Sequence, residues 1–211
     1  VTGDNESDMV ANLDEIKRVM NPVLGDKPFT LQDDDSGRRY IGRVESMSAP
    51  AVKGRWGRLF TISVECMAHK QDEAETNASI AIATNPDTLL TGDIVGNVSR
   101  TPCEWYIRNE TGATLTSTAI TIYNATTGDT LVWTGNLEDD RWLRIGTLDA
   151  NGRHRSTISK SQSTGADPEA ETYDDAESGY TSGDWPRLKG GVDNSVTITG
   201  VATGTLEWTY R

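Results

Sequence analysis

Thiol and imidazole chemistry has little to work with in this chain, which holds two cysteines and two histidines. Cys66 and Cys103 stand far apart without a Cys-x-x-Cys or His-spaced partner, which argues against a zinc site. One disulfide could join them, yet Cys66 falls on the apolar side of an alternating run, so a buried free thiol acting as a small hydrophobe is expected. His69 sits in a charged stretch and His154 beside the Asn151-Gly152 turn. Neither has a nucleophile at motif spacing, so no Ser/His or Cys/His triad is expected. His-Glu-x-x-His, a phosphate-binding loop and Gly-x-Gly-x-x-Gly are all missing. The expectation is therefore no catalytic residue, no metal ligand and no cofactor, and the pattern singles out no ligand-binding residue.

Positive charge is also scarce. Lys+Arg number 20 against Asp+Glu 32, a formal net charge of -12. With no local basic patch, that field repels nucleic acid, and no nucleic-acid partner is expected. No apolar run approaches the length of a membrane span, and no basic-then-apolar leader opens the chain, so no membrane insertion is expected. The chain opens on Val1 with no initiator Met, which implies processing or a longer gene product. Carboxylates are plentiful, and two of them suffice for glycoside hydrolysis. Nothing selects a pair, and Glu138-Asp139-Asp140 and Asp174-Asp175 read as solvated tips. Asn5, Asn77, Asn97, Asn109 and Asn124 each begin an Asn-x-Ser/Thr triplet, as chance provides in a chain rich in Ser and Thr.

What is abundant is β-branched alternation punctuated by glycine. One helix is expected, capped by Ser7 or Asp8 and ended by Pro22, with Met9, Leu13, Ile16 and Met20 on one face. Phe29–Leu31 and Arg39–Val44 are strand candidates around the turn Asp33–Gly37. Leu59–Cys66 alternates cleanly, with Phe60, Ile62, Val64 and Cys66 on one side and Thr61, Ser63 and Glu65 on the other. The polar run after Ala68 suggests a boundary: a helix-plus-sheet unit over 1–70, a linker over 71–77 and a β-sandwich over 78–211. Short strands are expected at 78–83, 104–108, 119–123, 130–133, 142–145 and 153–158, with hairpin turns at Thr127-Gly128-Asp129 and Asn151-Gly152. Trp105, Trp133, Trp142 and Trp208 lie on these patterns and should be core or interface. Residues 159–184 are polar, acidic and nearly free of aliphatics, and are expected to form a mobile loop carrying Tyr173 and Tyr180. Trp185–Leu188 should cover one end of the core, and a turn at Asp193-Asn194 should open a closing hairpin whose strands point Val196, Ile198, Leu206, Trp208 and Tyr210 inward. The fold class is thus mainly β, with an α+β first unit.

The order of three segments carries a resemblance: NPVLGDKPFTLQDDDSGRRYIGRVE after the helix, then GRLFTISVECMAH, then WPRLKGGVDNSVTITG leading into LEWTYR. Over nearly the whole chain this resembles the distal tail protein family of long-tailed, non-contractile bacterial and archaeal viruses. The resemblance implies a galectin-like sandwich after a ring-forming unit. It also implies a structural virion protein at the distal end of the tail, made in the host cytoplasm. Its partners would be further copies in a hexameric ring, the tail tube protein, the tail-tip or baseplate hub and receptor-binding proteins. The family carries strands ahead of the helix, and relatives usually continue past the equivalent of Arg211, so parts of the product are expected outside the numbered chain. A carbohydrate-binding module or adhesin is the alternative that the sandwich and its aromatics suggest, and a polysaccharide-degrading enzyme comes third.

Overall fold

The computed structural model describes residues 6–19, 21, 27–29, 38–48, 51–52, 58–59, 61–66, 71–72, 76–95, 98–148 and 154–210. The chain divides into two compact units, Val1–Glu73 and Ala74–Arg211.

In the first unit, helix α1 spans Glu6–Val19 with Leu13 and Ile16 half-buried and Val10 exposed. Lys17 and Arg18 occupy its last turn, where cations complement the helix dipole. They also pair with Asp14 and Glu15 one turn back, at 3.4 and 2.5 Å. Met20, Pro22, the Asp33–Gly37 turn, Phe60 and the side chain of Met9 lie outside the described residues. Strands β1 (Lys27–Phe29), β2 (Arg38–Met47) and β5 (Ile62–Cys66) form an antiparallel sheet, with β3 (Ala51–Val52) and β4 (Arg58–Leu59) pairing separately. Along β5 the alternation holds, Ile62 and Val64 half-buried against exposed Ser63 and Glu65. Cys66, expected to be buried, is exposed. Its register partner across β2 is Gly42, which has no side chain to cover it. The stretch expected to link the units is taken up from both sides: β6 (Gln71–Asp72) pairs with Arg38 and Arg39, and the next strand already begins at Thr76. Polar residues suit such short edge pairing, which draws on main-chain groups alone.

The second unit is a sandwich of antiparallel sheets. Its strands are β7 (Thr76–Ile82), β8 (Asp87–Asp93), β9 (Cys103–Asn109), β10 (Leu115–Asn124), β11 (Asp129–Leu137), β12 (Trp142–Leu148), β13 (His154–Ser161), β14 (Tyr173–Asp175), β15 (Tyr180–Gly183), β16 (Asp193–Thr199) and β17 (Gly204–Tyr210). The front sheet has six strands in the order β14-β13-β12-β9-β17-β7, and the back sheet five in the order β15-β11-β10-β16-β8. Inward residues from both sheets make one core: Trp105, Ile107, Leu143, Ile145, Leu206 and Trp208 from the front, Ile120, Ile122, Leu131, Trp133, Val196 and Ile198 from the back. The indoles of Trp105 and Trp208 meet at 6.1 Å between ring centroids. Trp105, Trp133 and Trp208 are thus core residues, as the alternation predicts. Trp142 is equally buried but lies outside this cluster, on the outer face of the front sheet.

Residues 159–184 are not a loop. Residues 159–161 complete β13, and the remainder supplies β14, β15 and two short 3-10 turns, Pro168–Ala170 and Glu177–Gly179. Main-chain pairing needs no aliphatics: Ser159, Lys160 and Ser161 pair with Asp175, Asp174 and Tyr173, and Leu131 and Val132 pair with Gly183 and Ser182. Gly183 has φ +109°, and a side chain there would run into the Thr130 carbonyl, so the close approach of β15 to β11 requires glycine. β8 was also absent from the expected strands, because Asp87–Asp93 buries only Leu89 among its seven residues.

The outward face of the back sheet has two neighbouring register rows without charge, while Asp193 and its register partner Asp93 are exposed at one end. One row across it runs Thr88, Thr197, Tyr123, Thr130, and a second runs Thr199, Thr121, Val132, Ser182. Neighbouring hydroxyls are bonded, Thr88 to Thr197 at 2.9 Å and Thr134 to Thr181 at 3.1 Å.

The expected turn at Asp193-Asn194 is instead a buried polar bracket. Asn194 is fully buried; its amide donates to the carbonyls of Lys189 (3.0 Å) and Val192 (3.2 Å), and its Oδ1 accepts from Lys189 N (2.8 Å) and Asn124 Nδ2 (3.1 Å). Asn124, also fully buried, donates in turn to Arg187 O at 2.6 Å. The segment Trp185–Leu188 is thereby held over the core end, where Leu188 is buried and Trp105 Nε1 donates to Pro186 O at 2.8 Å. Asn194→Ala strands several of these groups without water. It should destabilise the second unit by about 2–3 kcal/mol in urea titration, whereas Leu90→Ala on the exposed face should change stability by less than about 0.5 kcal/mol.

Candidate functional site

The outer face of the front sheet carries the densest polar and aromatic constellation among the described residues. Because β9 has large inward residues at Cys103, Trp105 and Ile107, its alternate positions Glu104, Tyr106 and Arg108 face outward. Register then lines up a row across the whole sheet: Asp175, Ser159, Arg144, Tyr106, Glu207, Ser79. The segment between β13 and β14 lies over part of this face. Trp142 Nε1 donates to Gly165 O at 2.8 Å, and Tyr173 OH to Pro168 O at 2.8 Å. Glu169 Oε1 accepts from Thr209 Oγ1 at 3.2 Å and from Asn77 Nδ2 at 2.9 Å, reaching β7 at the far edge. Cover from this strap explains why Thr209, on the polar side of its strand pattern, is buried.

At the foot of the strap a pocket of about 200 Å³ is lined by Glu104, Tyr106, Arg144, Leu148, Glu169 and Thr209. The buried Glu104 carboxylate accepts hydrogen bonds from Tyr106 OH and the Leu148 amide, and pairs with Arg144 at 2.9 Å. The Arg144 guanidinium lies between two rings, 5.6 Å from the centroid of Tyr106 and 5.3 Å from that of Tyr173. Burial pushes both phenols well above the ordinary tyrosine value; the Glu104 carboxylate adds to this at Tyr106, and Arg144 opposes it at Tyr173. Both remain protonated donors. With its carboxylate held by three donors and both phenols raised in pKa, the charges that line the pocket are fixed in place.

The other residues weighed in the sequence fall elsewhere. His69 lies outside the described residues. His154 packs against Trp185 at 6.0 Å, and burial, then the Arg187 charge, lower its pKa, so the ring is neutral. Cys103 is buried with its thiol pushed well up by desolvation. Glu138 pairs with Lys160 at 3.0 Å, Asp139 accepts from the Gly112 amide at 2.9 Å, and Asp140 lies 3.4 Å from Arg108, so this acidic tip ties down neighbouring turns. Tyr173 is in the constellation, while Tyr180 stacks on Trp185 with rings 10° from parallel. Glu104, Tyr106 and Arg144 were passed over in the sequence as parts of ordinary strands. The available signal was that β9 and β12 carry bulky residues at consecutive positions, the mark of strands covered on both faces. Among the described residues, no group of three or more His, Cys, Asp or Glu side chains is placed to hold a metal ion.

Glu207, in the middle of the row, has its pKa raised, chiefly by desolvation and then by Glu169 and Asp167. A raised folded-state value means that the folded protein binds the proton more tightly than the unfolded chain. Glu207 therefore opposes folding at neutral pH, and that opposition is relieved as pH falls through its raised value. Glu207→Gln should raise Tm at pH 7, and its advantage over the parent should shrink as pH falls toward the ordinary carboxylate value of 4.5. Thermal melts across that window check both signs.

No known family model matches the chain, and no characterised protein matches it in sequence. Among solved structures it is similar in fold to the Dit protein (gp 19.1) of phage SPP1, described as a paradigm of the hub adsorption apparatus in phages that infect Gram-positive bacteria. The similarity covers 100% of this chain and 74% of that one, with a TM-score of 0.60 at 17% sequence identity.

Proposed function

We propose that the chain is a structural virion protein, a distal-tail hub component of a long-tailed virus. In this reading it assembles as a homo-oligomeric ring of hexameric order. The ring joins the tail tube to the baseplate and receptor-binding parts at the distal end of the tail, without catalysis, cofactor or nucleic acid. The observation that carries it is the fold match: one phage hub protein accounts for 100% of the chain, spanning both units. The order of sequence motifs supports the same reading independently.

The first unit is the ring builder in this reading. β5 stands at an edge of its sheet in the order β1-β2-β5, and among the described residues no strand pairs its outer side. Its exposed residues, Ser63, Glu65 and Cys66, include no Lys or Pro of the kind that guard free edges. Such an edge accepts a neighbour's strand, and a head-to-tail contact of this kind closes a ring by rotation. The sandwiches, each strongly acidic, would repel their copies in neighbouring subunits.

Negative-stain imaging and sedimentation of the full chain test this. Closed rings are expected. Ile62→Lys should abolish them and leave the melting of the second unit unchanged. A chain that stays monomeric at every concentration overturns the ring, and rings that survive Ile62→Lys move the interface away from β5.

A further inference from the structure

We infer that the free edge of β7 is a self-pairing surface, on which a second copy of this chain adds its own β7 antiparallel about a two-fold axis at Ser79. Among the described residues the sandwich has four edge strands, β14 and β7 in the front sheet and β15 and β8 in the back sheet. Three of them carry devices that keep an edge from pairing. β14 is three residues long, and two of these are Asp174 and Asp175. β15 has four residues and an irregular register against β11. β8 begins and ends on an aspartate, Asp87 and Asp93, and its register with β16 shifts beside Asp93. β7 has none of these devices: its seven residues, Thr76–Ile82, include no charge and no proline. They hold unbroken register with β17 from Thr76↔Tyr210 to Ile82↔Gly204. Among the described residues no strand pairs its other side, so the main-chain groups there have no ladder partner.

The strand's own sequence selects the occupant. Full antiparallel overlap of two copies sets Ser79 against Ser79, Ala78 against Ile80 and Asn77 against Ala81. Antiparallel partners share a face, so the pleat is kept: exposed Asn77, Ser79 and Ala81 meet on one side, half-buried Ala78 and Ile80 on the other. Ala78 and Ile80 pack against the core yet are only partly buried, and the other copy's Ile80 and Ala78 would cover what is left open. Any strand that pairs here must match this alternation, and a second copy matches it by construction.

A net charge of -12 opposes the meeting of two copies, so the position of the carboxylates matters. Glu207 lies one strand in, opposite Ser79. Three strand spacings of about 4.8 Å, roughly 14 Å in all, would separate it from the other copy's Glu207. Glu169 reaches β7 through the amide of Asn77, and the two copies of Asn77 would stand four residues apart along the ladder, roughly 13 Å. Both gaps exceed the screening length of about 8 Å at physiological salt. Asp87, beyond the end of β7, has its carboxylate occupied by the amides of Ala83 and Thr84. A single short ladder is small beside the roughly 800 Å² per partner of a stable complex, so the dimer is weak and concentration-dependent. The edge belongs to the second unit, and the inference does not depend on the ring reading, which uses β5.

Cysteine crosslinking of the full chain carrying Cys66→Ser tests this, Cys103 being buried. Directly opposed residues have Cβ atoms about 4.5–5.5 Å apart, close to disulfide range. Ser79→Cys should give a covalent dimer under mild oxidation. Asn77→Cys and Ala81→Cys should give none separately and a dimer when mixed, and Ser182→Cys on β15 should give none. Adding Ile62→Lys should leave the Ser79→Cys dimer in place. In that background, sedimentation without the added cysteine should show a concentration-dependent dimer that Ser79→Lys abolishes. Absence of the Ser79→Cys dimer, equal crosslinking through Ser182→Cys, or Asn77→Cys and Ala81→Cys linking no better mixed than apart overturns the proposal. So does loss of the Ser79→Cys dimer on adding Ile62→Lys, which would assign the contact to the ring.

Discussion

A sheet is satisfied in its interior and exposed at its edges, and the second unit is arranged around that constraint. Unpaired main-chain groups must find partners, and a bare flat edge invites another chain. On one flank the chain passes directly from β7, the last strand of the front sheet, to β8, the last strand of the back sheet. On the other flank it passes from β14 to β15 in the same way, through the turn Glu177–Gly179. Each flank is therefore closed by one continuous piece of chain folded over the corner. Of these edge strands β15 is exposed at all four residues, so its place comes from backbone pairing and not from burial.

That explains which parts of the fold were legible in the sequence. Strands that bury alternate aliphatic and aromatic residues, such as β16 with Val196 and Ile198 or β17 with Leu206, Trp208 and Tyr210, announce themselves by period. β8, β14 and β15 do not, because what places them is a register partner far along the chain. Segment 159–184 lacks aliphatics, a sign of disorder only when nothing else supplies partners; here β13 and β11 supply them. Cys66 failed for the opposite reason: its period is right, but its partner is Gly42, and burial depends on what lies across the strand. The candidate pocket was hidden similarly. Glu104, Tyr106 and Arg144 come from separate strands and acquire meaning only when β12 and β9 are set side by side.

The outer faces of the sandwich treat charge in opposite ways. The front sheet gathers Glu104, Arg144, Arg108 and Glu207 under a strap and holds them with aromatic rings and short polar contacts. The back sheet carries two outward rows of uncharged residues, in which Thr88 and Thr197 pair their hydroxyls, and keeps Asp93 and Asp193 at one end. A uniform scatter of the same residues would not give a fixed polar pocket.

β17, the last described strand, does not lie at a margin: it sits between β9 and β7 and holds register with both along its whole length. β7, among the first strands of the sandwich, reaches the front sheet only through it. During synthesis, then, the front sheet must wait as two fragments, and its earliest strand has no front-sheet neighbour until Gly204–Tyr210 emerges. Such a topology cannot fold progressively from the N-terminal end; this unit closes in one late step that joins its beginning to its end.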